Sequence, residues 1–240
     1  MPSLSKKLNK KKTNYAITAL LLACVFAVPT VSSAQTDPAQ TEAQPQAGSE
    51  TKEETKQKLQ TLELADGALT LSMPAEWKKV QPRSRILKHE FSIAPARSDD
   101  KEAKEPTPGR MTLMSATGGV QANVARWIGQ FKNADGTGLQ ALKPDDKGNP
   151  PAADKEGVYV EPIKGDGVES TLVDLRGTFA DSPRGPFGPK TDRPGYRMLG
   201  LIIPTKEHGT WFVKFYGPAK LVNAKAKAFR TMAKGAKYSP

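Results

Sequence analysis

The chain has 240 residues, with 36 basic and 25 acidic side chains, two histidines and a single cysteine, Cys24. One cysteine excludes a disulfide framework, a thiolate zinc site and an iron–sulfur cluster, and two histidines leave few candidates for a general base. The surplus of positive charge favours anionic partners and says nothing about the fold.

The first 34 residues have the order of a secretory signal peptide. A basic head, Lys6 to Lys12, precedes an apolar run, Tyr15 to Val28, and the small-residue stop Ser32-Ser33-Ala34. This order predicts cleavage after Ala34 and an extracytoplasmic protein, periplasmic or secreted. A retained membrane anchor is the alternative, although the apolar run is shorter than the roughly 20 residues of a membrane span and Pro29 ends it.

A lipid anchor is a third interpretation of the same segment. Leu21-Leu22-Ala23-Cys24 resembles a bacterial lipobox, and cleavage before Cys24 would leave that thiol for acylation. The residues after Cys24 stay apolar, whereas a mature lipoprotein usually begins with a polar tether, so cleavage after Ala34 is favoured. Export removes the chain from ATP, nicotinamides and chromosomal DNA, so we expect no cofactor and no nucleic-acid partner.

Two further regions follow the predicted signal peptide. Residues 35–58 contain almost no large apolar side chain and cannot bury enough surface to offset backbone ordering, which predicts a disordered tether. Residues 59–240 have a globular composition and sufficient length for one domain with a sizeable core. No transmembrane span is expected in the mature chain.

The globular region opens with a predicted β-hairpin. Two alternating runs, residues 61–64 and 68–73, are joined through Asp66-Gly67, a strong hairpin signal. Further strands are predicted over residues 86–93, 110–116, 158–163, 168–179, 196–203 and 209–216.

Helical spacing of apolar residues predicts one helix over residues 120–132 and a second over 219–234. Trp127 and Trp211 are expected to face the core and Trp77 to cap the hairpin, with a carbohydrate or peptide platform as the alternative. This order of elements predicts an α+β protein with a mainly antiparallel sheet flanked by helices.

Three places resemble the PsbP-like fold, an αβα sandwich named for an extrinsic protein of photosystem II and shared by a Ran-binding nuclear transport factor. They are Met73-Pro74-Ala75-Glu76-Trp77 after the hairpin, the helix that carries Trp127, and the strand–Gly217-Pro218–helix unit within residues 208–236. The chain is also similar to a group of secreted bacterial proteins of planctomycetal type. The resemblance implies a non-enzymatic accessory domain that binds or steadies larger assemblies, and it carries over no functional residue.

The sequence lacks the common catalytic motifs of hydrolases and metalloenzymes. It has no G-x-S-x-G elbow and no H-E-x-x-H pair, and the residues around Asp145 lack the acid spacing of a calcium loop. His89, in a strand-like run, and His208, at a turn, are interpreted as structural. We therefore predict no catalytic, cofactor-binding or metal-ligating residue and do not expect an enzyme.

The second helix is the functional lead, because residues 218–240 contain basic residues and no acidic one. A basic amphipathic helix can dock an acidic protein or lie on an anionic envelope component, and the alternative is a solvated helix face. The residues predicted to bind such a partner are Lys220, Lys225, Lys227, Arg230 and Lys234. The competing functions are a cofactor-free hydrolase that uses His89 or His208 and a binder of an apolar small molecule between sheet and helix.

Overall fold

The computed structural model describes residues 58–95, 107–182 and 188–240. Within these ranges it has two α-helices, α1 (Val120–Ile128) and α2 (Ala219–Lys234). Its strands are β1 (Leu59–Leu64), β2 (Leu69–Pro74), β3 (Lys78–Val80), β4 (His89–Ile93), β5 (Gly109–Ala116), β6 (Phe131–Lys132), β7 (Gly157–Lys164), β8 (Glu169–Asp181), β9 (Thr191–Pro204), β10 (Thr210–Pro218) and β11 (Lys237–Tyr238).

Most strands form one antiparallel sheet with the order β3-β4-β5-β10-β9-β8-β6, in which β7 also pairs with β8. A second sheet has the order β1-β2-β11, and it packs with α2 against one face of the large sheet. Helix α1 packs against the other face. The architecture is α+β, a mainly antiparallel sheet flanked by helices, and the predicted fold class is confirmed.

Alternation along β10 assigns its side chains to two separate cores. Trp211, Val213 and Phe215 are buried on the α2 side, where Val222 and Phe229 of the helix meet them. Phe212 points to the α1 side and contacts the ring of Trp127 edge-on. Trp127 also lies so close to Gly200 of β9 that an added Cβ would come within 2.3 Å of its ring, so glycine is needed there.

Several sequence predictions are confirmed. Strands β1 and β2 pair from Leu59↔Pro74 to Leu64↔Leu69, with the turn at the predicted Asp66-Gly67. Helix α2 has the predicted bounds. Trp77, Trp127 and Trp211 are all buried, so the aromatic platform is not formed.

Other elements differ from the prediction. The first helix ends at Ile128 instead of residue 132, because the chain turns at Gly129 and Phe131 then pairs with Phe179 of β8. The two rings lie 5.0 Å apart, so Phe131 is buried through sheet pairing and not through the helix. Strand β4 begins at His89 instead of residue 86, β9 begins five residues early at Thr191, and the short β3 and β11 were not predicted.

Some predictions fall outside the described residues. These are the signal peptide over residues 1–34 and the tether apart from residue 58. The proposed domain boundaries therefore stay a prediction. Among the described residues, no helix is long and apolar enough to cross a membrane.

A buried ion cluster joins α2 to the large sheet. Asp174 of β8 is fully buried and accepts hydrogen bonds from Arg176 and, at 2.6 Å, from Arg197 of β9. Arg230 of α2 lies 3.6 Å from the same carboxylate, and Arg197 also donates to Asn223 of α2 at 2.6 Å. Burial alone raises the pKa of Asp174, but the hydrogen bonds from Arg197 and Arg176 outweigh it and hold the pKa below its usual value.

We expect Asp174→Asn to destabilise the protein by about 3–5 kcal/mol, because removing the carboxylate leaves buried guanidinium groups uncompensated. Asp192→Asn is the matched control, since Asp192 pairs with Lys132 at the surface, and it should cost under about 1 kcal/mol. Urea unfolding at pH 7 measures both values.

The stability difference between the wild type and Asp174→Asn depends on pH. Because the folded-state pKa of Asp174 is lowered, its contribution is present above the unfolded pKa of about 3.9 and is lost as pH falls through the folded value. The stability difference between the wild type and Asp174→Asn should therefore narrow below pH 4. An equal difference at pH 7 and pH 3 would contradict this account.

Candidate functional site

The five predicted cations of α2 divide into two groups by direction. Lys220, Lys227 and Lys234 are exposed and seven residues apart, so they form one stripe on the outward face of the helix. Between them this stripe carries only Ala224 and Thr231. We call these three residues the lysine stripe.

The other two predicted cations make contacts within the fold. Lys225 donates to Glu76 Oε1 at 2.8 Å, and its side chain is 22% exposed. Arg230 is 17% exposed and forms ion pairs with Glu161 of β7 and with Asp174. Both residues were predicted to bind a partner, and the structure gives each of them an acidic neighbour in the same chain.

The space between α2 and the large sheet is filled by Val222 and Phe229, both fully buried. A groove of about 600 Å³ lies instead between α2 and the β1–β2 hairpin. Leu59, Pro74 and Met232 line it together with Lys225 and Lys227.

Both histidines line one open cleft of about 600 Å³ at the turn of the β1–β2 hairpin. His89 of β4 and His208, which precedes β10, share it with Ser115 at the end of β5 and with Asp66. Asp66 adopts a left-handed conformation, with φ 55°, as does its neighbour Ala65. Such strain in residues other than glycine is often found at functional sites. Sequence analysis assigned the two histidines separately and did not place them together.

The polar atoms of this cleft are not arranged as a catalytic triad. No hydrogen bond joins either histidine to Ser115 in the part of the chain that the structure describes, and His208 Nδ1 lies 3.3 Å from Tyr238 Oη. His89 Nδ1 and Trp211 Nε1 are buried without a hydrogen-bond partner among the described residues. Burial, with the charges of Lys79 and Lys88, lowers the pKa of His89.

Metal chemistry has little support within residues 58–95, 107–182 and 188–240, where no three His, Cys, Asp or Glu side chains are grouped for an ion. The loop at Asp145 is closed by its own chain. The carboxylate of Asp145 accepts hydrogen bonds from the backbone N–H groups of Lys147 and Asn149.

A basic pocket on the α1 face of the large sheet was missed by sequence analysis. It has a volume of about 440 Å³, and its cationic residues are Arg110, Arg126, Lys190 and Lys214. Lys214 stands between Phe212 and Tyr216 on the same side of β10. A lysine within so aromatic a strand was the signal available in the sequence, because lysine is rarely buried without a partner.

No protein-family model matches the sequence, and no curated protein matches it. The solved structures of similar shape include the following three. Cyanobacterial PsbP from Synechocystis has a TM-score of 0.41 at 11% identity, over 75% of this chain and 92% of that one.

The Ran-binding protein Mog1p of Saccharomyces cerevisiae has a TM-score of 0.40 at 12% identity, over 76% of this chain and 96% of its own. LpqN of Mycobacterium tuberculosis, involved in cell envelope biogenesis, has a TM-score of 0.35 at 11% identity, over 76% and 91% of the two chains. At TM-scores below 0.5, these similarities assign neither an activity nor a partner to the chain.

Proposed function

We propose that the chain is an exported, non-catalytic binding domain that engages an acidic protein through the lysine stripe of α2. The observation that carries the proposal is the stripe itself, three exposed lysines at seven-residue spacing on a helix without an acidic residue. Aligned charges of one sign attract an opposite surface and raise the rate of encounter.

An acidic protein is favoured over a membrane surface by what lies between the lysines. Helices that lie in a membrane interface carry large apolar residues such as Trp, Phe and Leu on the inserted face. Ala224 and Thr231 are the exposed residues within the stripe, whereas Val222, Phe229 and Met232 of α2 are buried in the fold. The helix therefore offers charge without an apolar face for insertion.

The sequence supports the location of this function. The basic head, apolar run and small-residue stop over residues 1–34 are those of a signal peptide, and residues 35–58 would hold the domain away from the site of export. Anchoring through an acylated Cys24 is the alternative to free release.

Charge reversal tests the role of the stripe. We expect Lys220→Glu combined with Lys227→Glu and Lys234→Glu to weaken binding to poly-glutamate at least tenfold, because repulsion replaces attraction. The matched control reverses three exposed lysines elsewhere, Lys143, Lys147 and Lys206, and changes the net charge equally. Binding is measured by calorimetry at 20 and 150 mM salt, since screening weakens contacts between exposed charges.

Two outcomes would contradict the proposal. An equal loss in both triple variants would show that net charge acts and that the stripe does not. Tighter binding to phosphatidylglycerol vesicles than to poly-glutamate would make the partner an anionic envelope component. Lys225 and Arg230 are left unchanged, because reversing them would disturb contacts within the fold.

Hydrolysis in the histidine cleft is the second candidate function. Its support is the shared lining by His89, His208 and Ser115, together with the unpartnered His89 Nδ1. A neutral histidine near a serine can act as a general base once substrate binding brings the two together.

A fluorophosphonate probe tests this candidate directly, since it labels a serine only when a base activates the hydroxyl. A non-catalytic domain should show no labelling of Ser115 in the wild type, and Ser115→Ala is the control for the position of any label. Labelling of Ser115 that is lost in His89→Ala or His208→Ala would establish a hydrolase and overturn the non-catalytic assignment.

A further inference from the structure

The basic pocket lies on the α1 face of the large sheet, on the opposite side from α2. Strands β5 and β10 form its floor, and Arg126 and Gln130, at the end of α1 and just beyond it, stand over one side. It is open to solvent and encloses about 440 Å³, within the range of cavities that bind small organic molecules.

The charge of Arg110 is balanced by Glu90, a carboxylate outside the pocket lining. Glu90 of β4 is 1% exposed and accepts hydrogen bonds from Arg110 Nε at 2.7 Å and Nη2 at 3.0 Å. Nη1 of Arg110 donates to the hydroxyl of Tyr216. All three nitrogens of this guanidinium therefore have partners in the protein, and its charge is matched by Glu90.

The charge of Lys214 is not balanced by a carboxylate among the described residues. Its Nζ donates to Gln130 Oε1 at 2.8 Å and lies 5.6 Å from the ring of Trp127 and 5.8 Å from that of Tyr216. Among the described residues, no carboxylate pairs with it. The ammonium can donate three hydrogen bonds, so two remain for a ligand.

The other charges around the pocket add to the excess of cations. Arg126 donates to Asn123 Oδ1 at 2.5 Å and is exposed at the rim, as is Lys190. Among the described residues, Asp181 is the one carboxylate in the lining, and it lies 3.5 Å from Arg193 Nε. Burying a cation without an acidic partner costs stability, and an anionic ligand would offset that cost.

The remaining lining is apolar and aromatic. Leu87, Met114, Phe179 and the ring of Tyr216 border the space beside Lys214. Phe179 and Tyr216 lie 5.2 Å apart and provide a surface on which a flat apolar group can pack. Because the positive charge of Lys214 lies beside this apolar surface, the pocket fits a molecule that has one anionic end and an apolar body.

We propose that this pocket binds a small amphipathic carboxylate, with its head on Lys214 and its apolar body against Phe179, Tyr216 and Met114. A carboxylate suits the site better than a phosphate, because each nitrogen of Arg110 already has a partner in the protein and the two free donors of Lys214 match the two oxygens of a carboxylate. The site is separate from the lysine stripe, so it does not depend on the function proposed above.

Calorimetry with 2-naphthoate tests this inference, with 2-naphthalenemethanol as its neutral counterpart and inorganic phosphate as a bare anion. We expect 2-naphthoate to bind the wild type at least tenfold more tightly than either comparison molecule. Lys214→Met should weaken the binding of 2-naphthoate at least tenfold, and Lys206→Met, at an exposed lysine outside the pocket lining, should leave it unchanged.

The protonation of Lys214 gives a second measurement. Burial lowers the pKa of its ammonium to about 7, and the charges of Arg126 and Arg110 act in the same direction. Below that value the lysine is charged, so affinity for the carboxylate should fall as pH rises from 6 to 9. Lys190, Asp181 and Tyr216 also line the pocket, and Glu90 pairs with Arg110 next to it. Lys214→Arg separates the effect of these groups from that of Lys214, because arginine stays charged and should remove the pH dependence.

The binding measurements on the wild type test the inference even if one of the variants does not fold. Equal binding of the acid and the neutral alcohol by the wild type, or tighter binding of phosphate, would overturn it even if Lys214→Met did not fold. Unchanged affinity in a folded Lys214→Met, or a pH dependence retained in Lys214→Arg, would also overturn it. None of these results bears on the lysine stripe.

Discussion

The carboxylate of Asp174 fixes the position and rotation of α2, and the surface that the helix presents follows from it. Arg197 joins Asp174 to Asn223, and Arg230 reaches both Asp174 and Glu161, so the helix is held at two points seven residues apart. An α-helix brings positions seven apart onto nearly the same face. Val222 and Phe229 form the adjacent apolar stripe with the same spacing.

This double attachment decides which lysines reach solvent. With Asn223 and Arg230 turned to the ion cluster and Phe229 buried, Lys220, Lys227 and Lys234 must point outward. Turning α2 far enough to hide them would bury lysines and break the contacts of a fully buried carboxylate. The outward direction of the stripe is thus a consequence of the core and not a free choice of the surface.

The two faces of the large sheet treat buried charge differently. On the α2 face, the buried arginines form ion pairs with the carboxylates of Asp174 and Glu161. On the α1 face, Glu90 forms an ion pair with Arg110. Lys214 instead donates to an amide oxygen and lies beside aromatic rings. Interiors rarely keep a lysine under such conditions, since an apolar residue of similar size packs there at lower cost. The contrast between faces is the reason to assign the pocket, and not the stripe, a small ligand.

Local signals explain why part of this fold could be predicted from the sequence. Asp66-Gly67 determines the turn between β1 and β2, and the aromatic run of β10 followed by Pro218 marks both the strand and the start of α2. Phe131 misled the helix prediction, because its spacing fits a helix while its ring is buried by pairing with Phe179, 48 positions away. The sequence likewise predicted Arg230 to face solvent, because its partners Asp174 and Glu161 are distant in the sequence and come beside it only in the fold.

Pairing over long sequence distances also limits what the sequence shows of the sites. Lys214 is flanked by Val213 and Phe215, and only the arrival of Gln130, Arg110 and Trp127 from other elements turns that position into a pocket. Residues that hold the fold and residues that offer a site are therefore distinct sets, because Asp174 and Glu90 are enclosed while the stripe lysines and the open side of the pocket meet solvent. A domain whose described part contains no cysteine depends on the first set for its stability. Replacing Lys220 or Lys214 removes no contact to a buried carboxylate, so neither change breaks the ion pairs that hold α2 and β4 in place.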